Sequence, residues 1–320
     1  MTEWTKETGD FDFLTGHFDV VHRQLVKPLS GSDEWIEHTG TCSARTMFDG
    51  AISIDEMRFP AKGNYGLSLR LFDPQSREWT IYWVNSTTYE LFPPVRGKWD
   101  NGSCWLVGED EYDGRPILAS YSWSDVTETT AHWEQSFSTD GGETWELNWT
   151  MDFTRRETEP PPLDVPKVTG DFDFLIGSWT THNRARRPML GEPFVWEEAE
   201  SRLEATTYFD GAISVDEGWF PSRGFRGATF RLYSPTTKTW SIHWINSQRG
   251  VLETPVVGSF TDGLGVFEGP DVWEGQPIDV LFHWTPGEQE ATWQQSFSVD
   301  GGATWIPNWE MTHRRSAGQL

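Results

Sequence analysis

Apolar and polar positions alternate with a period of two along most of this chain. In Thr80–Asn85, Ile81, Trp83 and Asn85 point one way and Thr80, Tyr82 and Val84 the other. Strand-like runs of this kind recur about every ten residues. Turn signals separate them, among them Asp49-Gly50, Asp73-Pro74, Asp113-Gly114 and Asp140-Gly141-Gly142. The spacing predicts an up-and-down antiparallel meander. Helical segments rich in Lys, Ala and Leu are almost absent. Aromatic residues, which fit the half-buried surface of strands, make up 15% of the chain and include 20 tryptophans. A long meander has to close into a barrel or split into a sandwich, because open edges invite aggregation.

The pattern is written twice. Gly9–Gly16 (GDFDFLTG) returns as Gly170–Gly177 (GDFDFLIG), and at the same offset Phe48–Glu56 (FDGAISIDE) returns as Phe209–Glu217 (FDGAISVDE). Trp79–Ser86 matches Trp240–Ser247, and Leu69-Arg70-Leu71 matches Phe230-Arg231-Leu232. From the Ser136–Glu146 and Ser296–Ile306 stretches onward the offset is one residue shorter, and Asn148–Arg155 then matches Asn308–Arg315. Two repeats of this length are a duplicated domain rather than a short-period solenoid. Glu157–Val168 holds four prolines and reads as a stiff linker that cannot sit in a sheet centre. The expected organisation is a first domain at 1–156, a linker at 157–168 and a second domain at 169–320, with roughly ten strands per copy.

Charge narrows the partners. Lys plus Arg is 25 against 49 Asp plus Glu, a formal net charge of −24. That field repels nucleic acid and anionic membrane surfaces. No signal peptide is visible at the N-terminus, and no run of about 18 apolar residues offers a membrane span. Cys42 and Cys104 do not make a disulfide framework. The expectation is a cytoplasmic protein with reduced thiols, in which the Asn-x-Ser/Thr triplets at Asn85, Asn101 and Asn148 carry no meaning.

Ser136–Glu146 and Ser296–Ile306 share the Ser-x-Asp-x-Gly-x-Thr-Trp pattern, which resembles the Asp box of sialidase propellers. A propeller needs a copy in most blades, and two copies in 320 residues instead suggest a hairpin device. Its glycines supply positive-φ turn positions and Asp140 bonds the turn backbone. The segments Phe13–Phe18 (FLTGHF) and Phe174–Trp179 (FLIGSW) resemble the Gly-x-Trp opening of the calycin superfamily, which includes lipocalins and fatty-acid-binding proteins. Gly177 and Trp179 fit; the first copy departs, with Phe18 in the Trp position. Arg155 and Arg315 resemble the arginine that ends the last calycin strand and packs over the first-strand aromatic. Across both copies the chain is similar to a bacterial calycin-like domain of unknown function. The resemblance implies an all-β fold of two tandem antiparallel up-and-down barrels, fused as a pseudo-dimer with a pseudo-two-fold axis. It implies a ligand inside or at the mouth, a monomeric chain with further dimerisation left open, and no cofactor.

The residues offer a sparse site. Arg70 and Arg231 sit mid-strand among apolar neighbours, where each pairs with a carboxylate (Asp55 or Glu56; Asp216 or Glu217) or meets a ligand. Trp83, Trp244, Asn85, Asn246, Gln135 and Gln295 combine aromatic surface with neutral amides, suited to a flat, partly polar molecule. Tyr82, also a ligand-binding candidate, aligns with His243, His22 with Asn183, and Phe153 with His313. No histidine position is shared, so a duplicated metal or His-based acid–base site is not expected. His243, then His313, is the candidate for chemistry in one copy, and Glu56 and Glu217 are candidate bases. Gly-rich phosphate loops, a GxSxG elbow and CxxC are absent. The leading reading is binding of a small hydrophobic or aromatic molecule in one or both barrels. Alternatives are a cofactor-free isomerase, cyclase, hydratase or lyase, and a structural or protein-interaction module.

Overall fold

The structure, a computed structural model, describes residues 9–316. It is all-β and holds two closed ten-stranded antiparallel barrels in tandem. The chain separates into two compact units, one running to Val165 and taking in Arg249–Val251, the other beginning at Pro166. Residues 157–168 form no strand.

The first barrel runs β1 (Gly16–Leu25), β2 (Trp35–Met47), β3 (Ile52–Phe59), β4 (Asn64–Asp73), β5 (Glu78–Asn85), β6 (Val95–Asp100), β7 (Ser103–Tyr112), β8 (Arg115–Ser124), β9 (Thr130–Ser138) and β10 (Glu146–Arg156). Each strand pairs with its sequence neighbour, and β1 closes the ring on β10, with Phe18 opposite Arg155. Closure removes every free edge. The second barrel repeats this order as β11 (Gly177–Arg187), β12 (Val195–Tyr208), β13 (Ile213–Phe220), β14 (Phe225–Ser234), β15 (Thr239–Asn246), β16 (Val256–Thr261), β17 (Leu264–Trp273), β18 (Gln276–Thr285), β19 (Glu290–Ser298) and β20 (Ile306–Arg315).

Each repeated motif has a physical task. The GDFDFL segments plug one barrel end. In the first, Phe11 and Leu14 are fully buried, Asp10 Oδ2 accepts the Trp79 indole N–H at 3.0 Å, and Phe11 meets Trp79 edge-on at 4.7 Å. In the second, Asp171 accepts Trp240 at 3.0 Å and Phe172 meets Trp240 at 4.8 Å. The next glycine turns the plug into the first strand. Gly16 has φ +113°, and a Cβ there would lie 2.9 Å from Arg155 Nη1; Gly177 has φ +107° with Arg315 Nη1 at 3.0 Å. Only glycine accepts both demands.

The arginines hold those turns. Arg155 donates to Thr15 O at 2.7 Å and Phe13 O at 2.5 Å, with its guanidinium 4.6 Å over the Phe18 ring. Arg315 donates to Ile176 O at 2.6 Å and Phe174 O at 2.9 Å, 4.3 Å over Trp179. The packing anticipated for these arginines from the sequence is present in both copies, with Phe18 serving in place of Trp.

The Asp box is a closed hairpin circuit. Ser138 Oγ donates to Asp140 Oδ1 at 2.7 Å, and Asp140 accepts the Thr144 N–H at 2.9 Å and its hydroxyl at 2.5 Å. Ser298, Asp300 and Thr304 repeat the circuit. The Thr144 hydroxyl and backbone hold the Asp140 carboxyl down at about 2. All its bonds stay within the turn.

Candidate functional site

The first barrel encloses a cavity of about 210 Å³. Its walls are aromatic: Trp83 from β5, Trp123 from β8, Trp133 and Phe137 from β9, Trp149 and Phe153 from β10. Trp149 meets Trp133 edge-on at 5.5 Å and Trp83 at 6.2 Å, and Tyr121 packs on Trp133 at 5.2 Å. Trp83 lies flat because β4 presents Gly66 beneath it; a Cβ there would fall 2.1 Å from the indole. The cavity reaches the surface beside the short β6, where Phe92, Asp110, Glu111 and Tyr112 line it and are half-buried or exposed.

The floor is a buried ion pair. Arg70 Nη1 lies 2.5 Å from Asp55 Oδ2, both side chains at most 5% exposed. The guanidinium stands 5.1 Å over Phe11 and 5.7 Å over Trp123. The contact lacks hydrogen-bond alignment, and Arg70 Nε has no protein partner. Above the floor come Ser68, Gln135, Tyr121 and Asp110. Burial raises the Tyr121 phenol and the Asp110 carboxyl.

The second barrel carries the same frame with different polar groups. Arg231 Nη2 lies 2.5 Å from Asp216 Oδ2, and the guanidinium sits 4.8 Å over Phe172. Trp309 meets Trp293 at 5.6 Å and Trp244 at 6.3 Å. The place of Tyr121 is taken by Phe282, which packs on Trp293 at 4.9 Å. The place of Phe153 is taken by His313, which is fully buried, 2.8 Å from Thr181 Oγ1 and stacked on Trp284 at 5.4 Å. Burial, then the nearby Arg231, lowers His313 to about 3.

The sequence candidates divide. Arg70, Trp83 and Gln135 line the cavity. Gln135 Nε2 is committed to Asn148 Oδ1 at 2.7 Å, holding the β9–β10 bulge, and Gln295 holds Asn308 at 2.9 Å in the same way. Asn85 and Asn246 serve turns: Asn85 Oδ1 accepts the Thr87 N–H at 2.9 Å and Asn246 Oδ1 the Gln248 N–H at 2.9 Å.

The candidate acids, His243 and Tyr82 lie on the wrong faces. On β3, Asp55 and Met57 line the cavity, so Glu56 between them points outward, where it pairs with Arg58 at 3.0 Å. Glu217 likewise alternates with Asp216 and pairs with Arg226 at 3.4 Å. On β5, Ile81 and Trp83 face inward, so Tyr82 faces outward. His243 alternates with Ile242, a member of the second core, and its Nδ1 lies 3.0 Å from Glu253 O. Strand alternation thus keeps His243, Glu56 and Glu217 away from the barrel interiors.

Sequence reading passed over Asp110 and Tyr121. The signal for Tyr121 is its replacement by Phe282 inside an otherwise repeated frame. Nucleophilic cysteine chemistry has no foothold: Cys42 and Cys104 are free and buried, and burial pushes the Cys104 thiol up to about 12. No cluster of His, Cys, Asp and Glu suited to a metal occurs among the described residues, and no described helix is long and apolar enough to cross a membrane.

No protein-family pattern and no curated protein matches this chain. Among solved structures it is similar to a protein of unknown function from the DUF3598 family of Nostoc punctiforme, at 10% identity and a TM-score of 0.28, over 98% of this chain and 99% of that one. It is also similar to a variant of Transferrin Binding Protein B from Haemophilus parasuis, at 8% identity and a TM-score of 0.22, over 94% of this chain and 76% of that one. Likeness at this level carries no inference about activity.

Proposed function

We propose that the first barrel is a calycin-like container that binds a small, flat, predominantly apolar molecule. The observation that carries this reading is the cavity of about 210 Å³, walled by tryptophans and supplied with a few polar groups on its floor and one side. Nucleic acid is a poor occupant, since the net charge of −24 repels phosphates. A cofactor-free enzyme is the second reading. The observation favouring it is Asp110, a carboxyl raised by burial that lines the same cavity as Tyr121.

Fluorescence titration with the neutral dye N-phenyl-naphthylamine tests the reading, with one dye expected per chain. Ser68→Leu, which fills cavity space, is expected to weaken binding about tenfold, or about 1.4 kcal/mol. The corresponding Thr229→Leu in the second barrel is expected to leave it unchanged. No dye binding, or sensitivity to Thr229→Leu alone, refutes the assignment. Incubation with a metabolite extract, read by mass spectrometry, separates the two readings: a retained compound supports a binding protein, and a consumed one an enzyme.

A further inference from the structure

The chemistry of the cavity lining is specific enough to name a ligand class, given that the first barrel binds a small molecule. Its charged residues are Asp55, Asp110 and Glu111 against a single Arg70. Arg70 is held by Asp55 at 2.5 Å, so the floor pair is neutral as a unit. What remains is acidic and lies on the side formed by β7. Asp110 Oδ1 accepts the Glu111 N–H at 2.8 Å, and no cationic side chain among the described residues acts on it. Tyr121 lies near it, and the same cavity holds the Trp133 ring packed on Tyr121. A half-desolvated carboxylate beside aromatic faces favours a cation twice over, by direct charge pairing and by cation–π attraction.

The floor adds a second requirement. Arg70 is 3% exposed, lines the cavity and keeps its Nε–H without a protein acceptor. A buried donor left unpaired is costly, and an acceptor on the ligand relieves that cost. We infer that the occupant is an aryl-alkyl amine: an ammonium directed to Asp110, a flat apolar body among the tryptophans, and a hydroxyl or carbonyl oxygen directed to Arg70. An anion would face Asp110 and Glu111 while the one guanidinium is already engaged. A wholly neutral hydrocarbon would leave both the carboxylate and the Nε–H unanswered. The second barrel shares the unpaired Nε, at Arg231, but not the acidic side, since it replaces Tyr121 by Phe282 and its Asp271 is exposed.

Displacement of N-phenyl-naphthylamine from the full chain by three congeners provides the test. These are tyramine, para-ethylphenol without the amine, and para-hydroxyphenylpropionate with a carboxylate in its place. Tyramine is expected to displace the dye at a concentration about tenfold lower than para-ethylphenol, with the carboxylate weakest. Asp110→Asn is expected to erase most of the tyramine advantage over para-ethylphenol, a change of ratio that a mere folding defect does not produce. Phenethylamine, lacking the ring hydroxyl, is expected to bind more weakly than tyramine. Dye binding with the carboxylate equal to or better than tyramine, or a tyramine to para-ethylphenol ratio unaltered by Asp110→Asn, overturns the amine assignment and leaves the container standing. Failure of the dye and all congeners to bind overturns both.

Discussion

Each barrel buries a neutral histidine in its interior, His22 or His313, that its twin does not have, and acid should find them. His22 is fully buried on β1, and its Nδ1 accepts the Trp149 indole N–H at 3.3 Å. The indole can only donate, so His22 carries its proton on Nε2. Protonating Nδ1 would set two N–H groups against each other. Burial, then His38 stacked at 4.7 Å, then Lys62, lowers His22 to about 3 from 6.5. The folded pKa is depressed, so the unfolded chain takes up the proton first as pH falls. The contribution to stability is therefore intact above 6.5 and is lost progressively between 6.5 and about 3. At about 1.4 kcal/mol per unit, His22 should cost the first barrel about 2 kcal/mol between pH 7 and pH 5.

The second barrel supplies the control residue. At the matching place Asn183 Oδ1 accepts the Trp309 indole N–H, also at 3.3 Å, with no titrating group. His22→Asn should thus keep the acceptor and remove the pH slope. The assay is hydrogen exchange by mass spectrometry on β1 and β10 peptides at pH 7 and pH 5, corrected for intrinsic rates. The wild-type peptides should lose about 2 kcal/mol of protection and those of His22→Asn much less, with β20 unaffected by the change. The mirrored variant His313→Phe, which installs the residue of the first barrel, should flatten the slope of β20 instead. An equal pH 7 to pH 5 loss in wild type and His22→Asn refutes the argument.

The floor ion pair should be far costlier to halve than to delete. Arg70→Met is expected to destabilise the first barrel by about 3–5 kcal/mol in urea denaturation, because Asp55 is left buried and alone, and Arg70→Met with Asp55→Leu should recover a large part of that loss; a double variant worse than the single one contradicts the pair. Gly16→Ala should cost about 1–3 kcal/mol from positive-φ strain alone, with the Arg155 contact adding to it, and the same measurement on Gly177→Ala should give a similar value.

The fold was legible because its signals are local. The duplicated GDFDFL, the turn glycines and the terminal arginines each specify a short piece of geometry that alternation then joins into a meander. The site was half legible for a reason that lies in the strands themselves. β3 is buried at seven of its eight positions and β4 at eight of ten. When both faces of a strand are buried, period-two alternation separates the faces without saying which is inside. Glu56 and Asp55 then look alike from sequence; on β5, Tyr82 and Trp83 are both half-buried aromatics and look alike for that reason. The structure decides each pair by a rigid neighbour: Arg70 over Phe11 draws Asp55 inward, and Gly66 makes the space that Trp83 fills.

The duplication itself separates what the frame needs from what is free to vary. The plug, the arginine clamp, the floor ion pair and the three-tryptophan cluster occur in both barrels, so their geometry is sufficient explanation for their presence and none of them alone argues for a ligand. Among the interior positions where the copies part are Met57 against Gly218, Ser68 against Thr229, His22 against Asn183, Tyr121 against Phe282, and Phe153 against His313; the last three bear on the polar groups. His22 against Asn183 is an exchange of hydrogen-bond acceptors for one indole, a packing solution reached twice. Tyr121 is different, since its ring packs on Trp133 as Phe282 packs on Trp293 and the frame gains nothing from the hydroxyl. A polar atom that packing does not require, placed in a cavity beside the reach of Asp110, is the strongest argument that the first barrel has been shaped for an occupant.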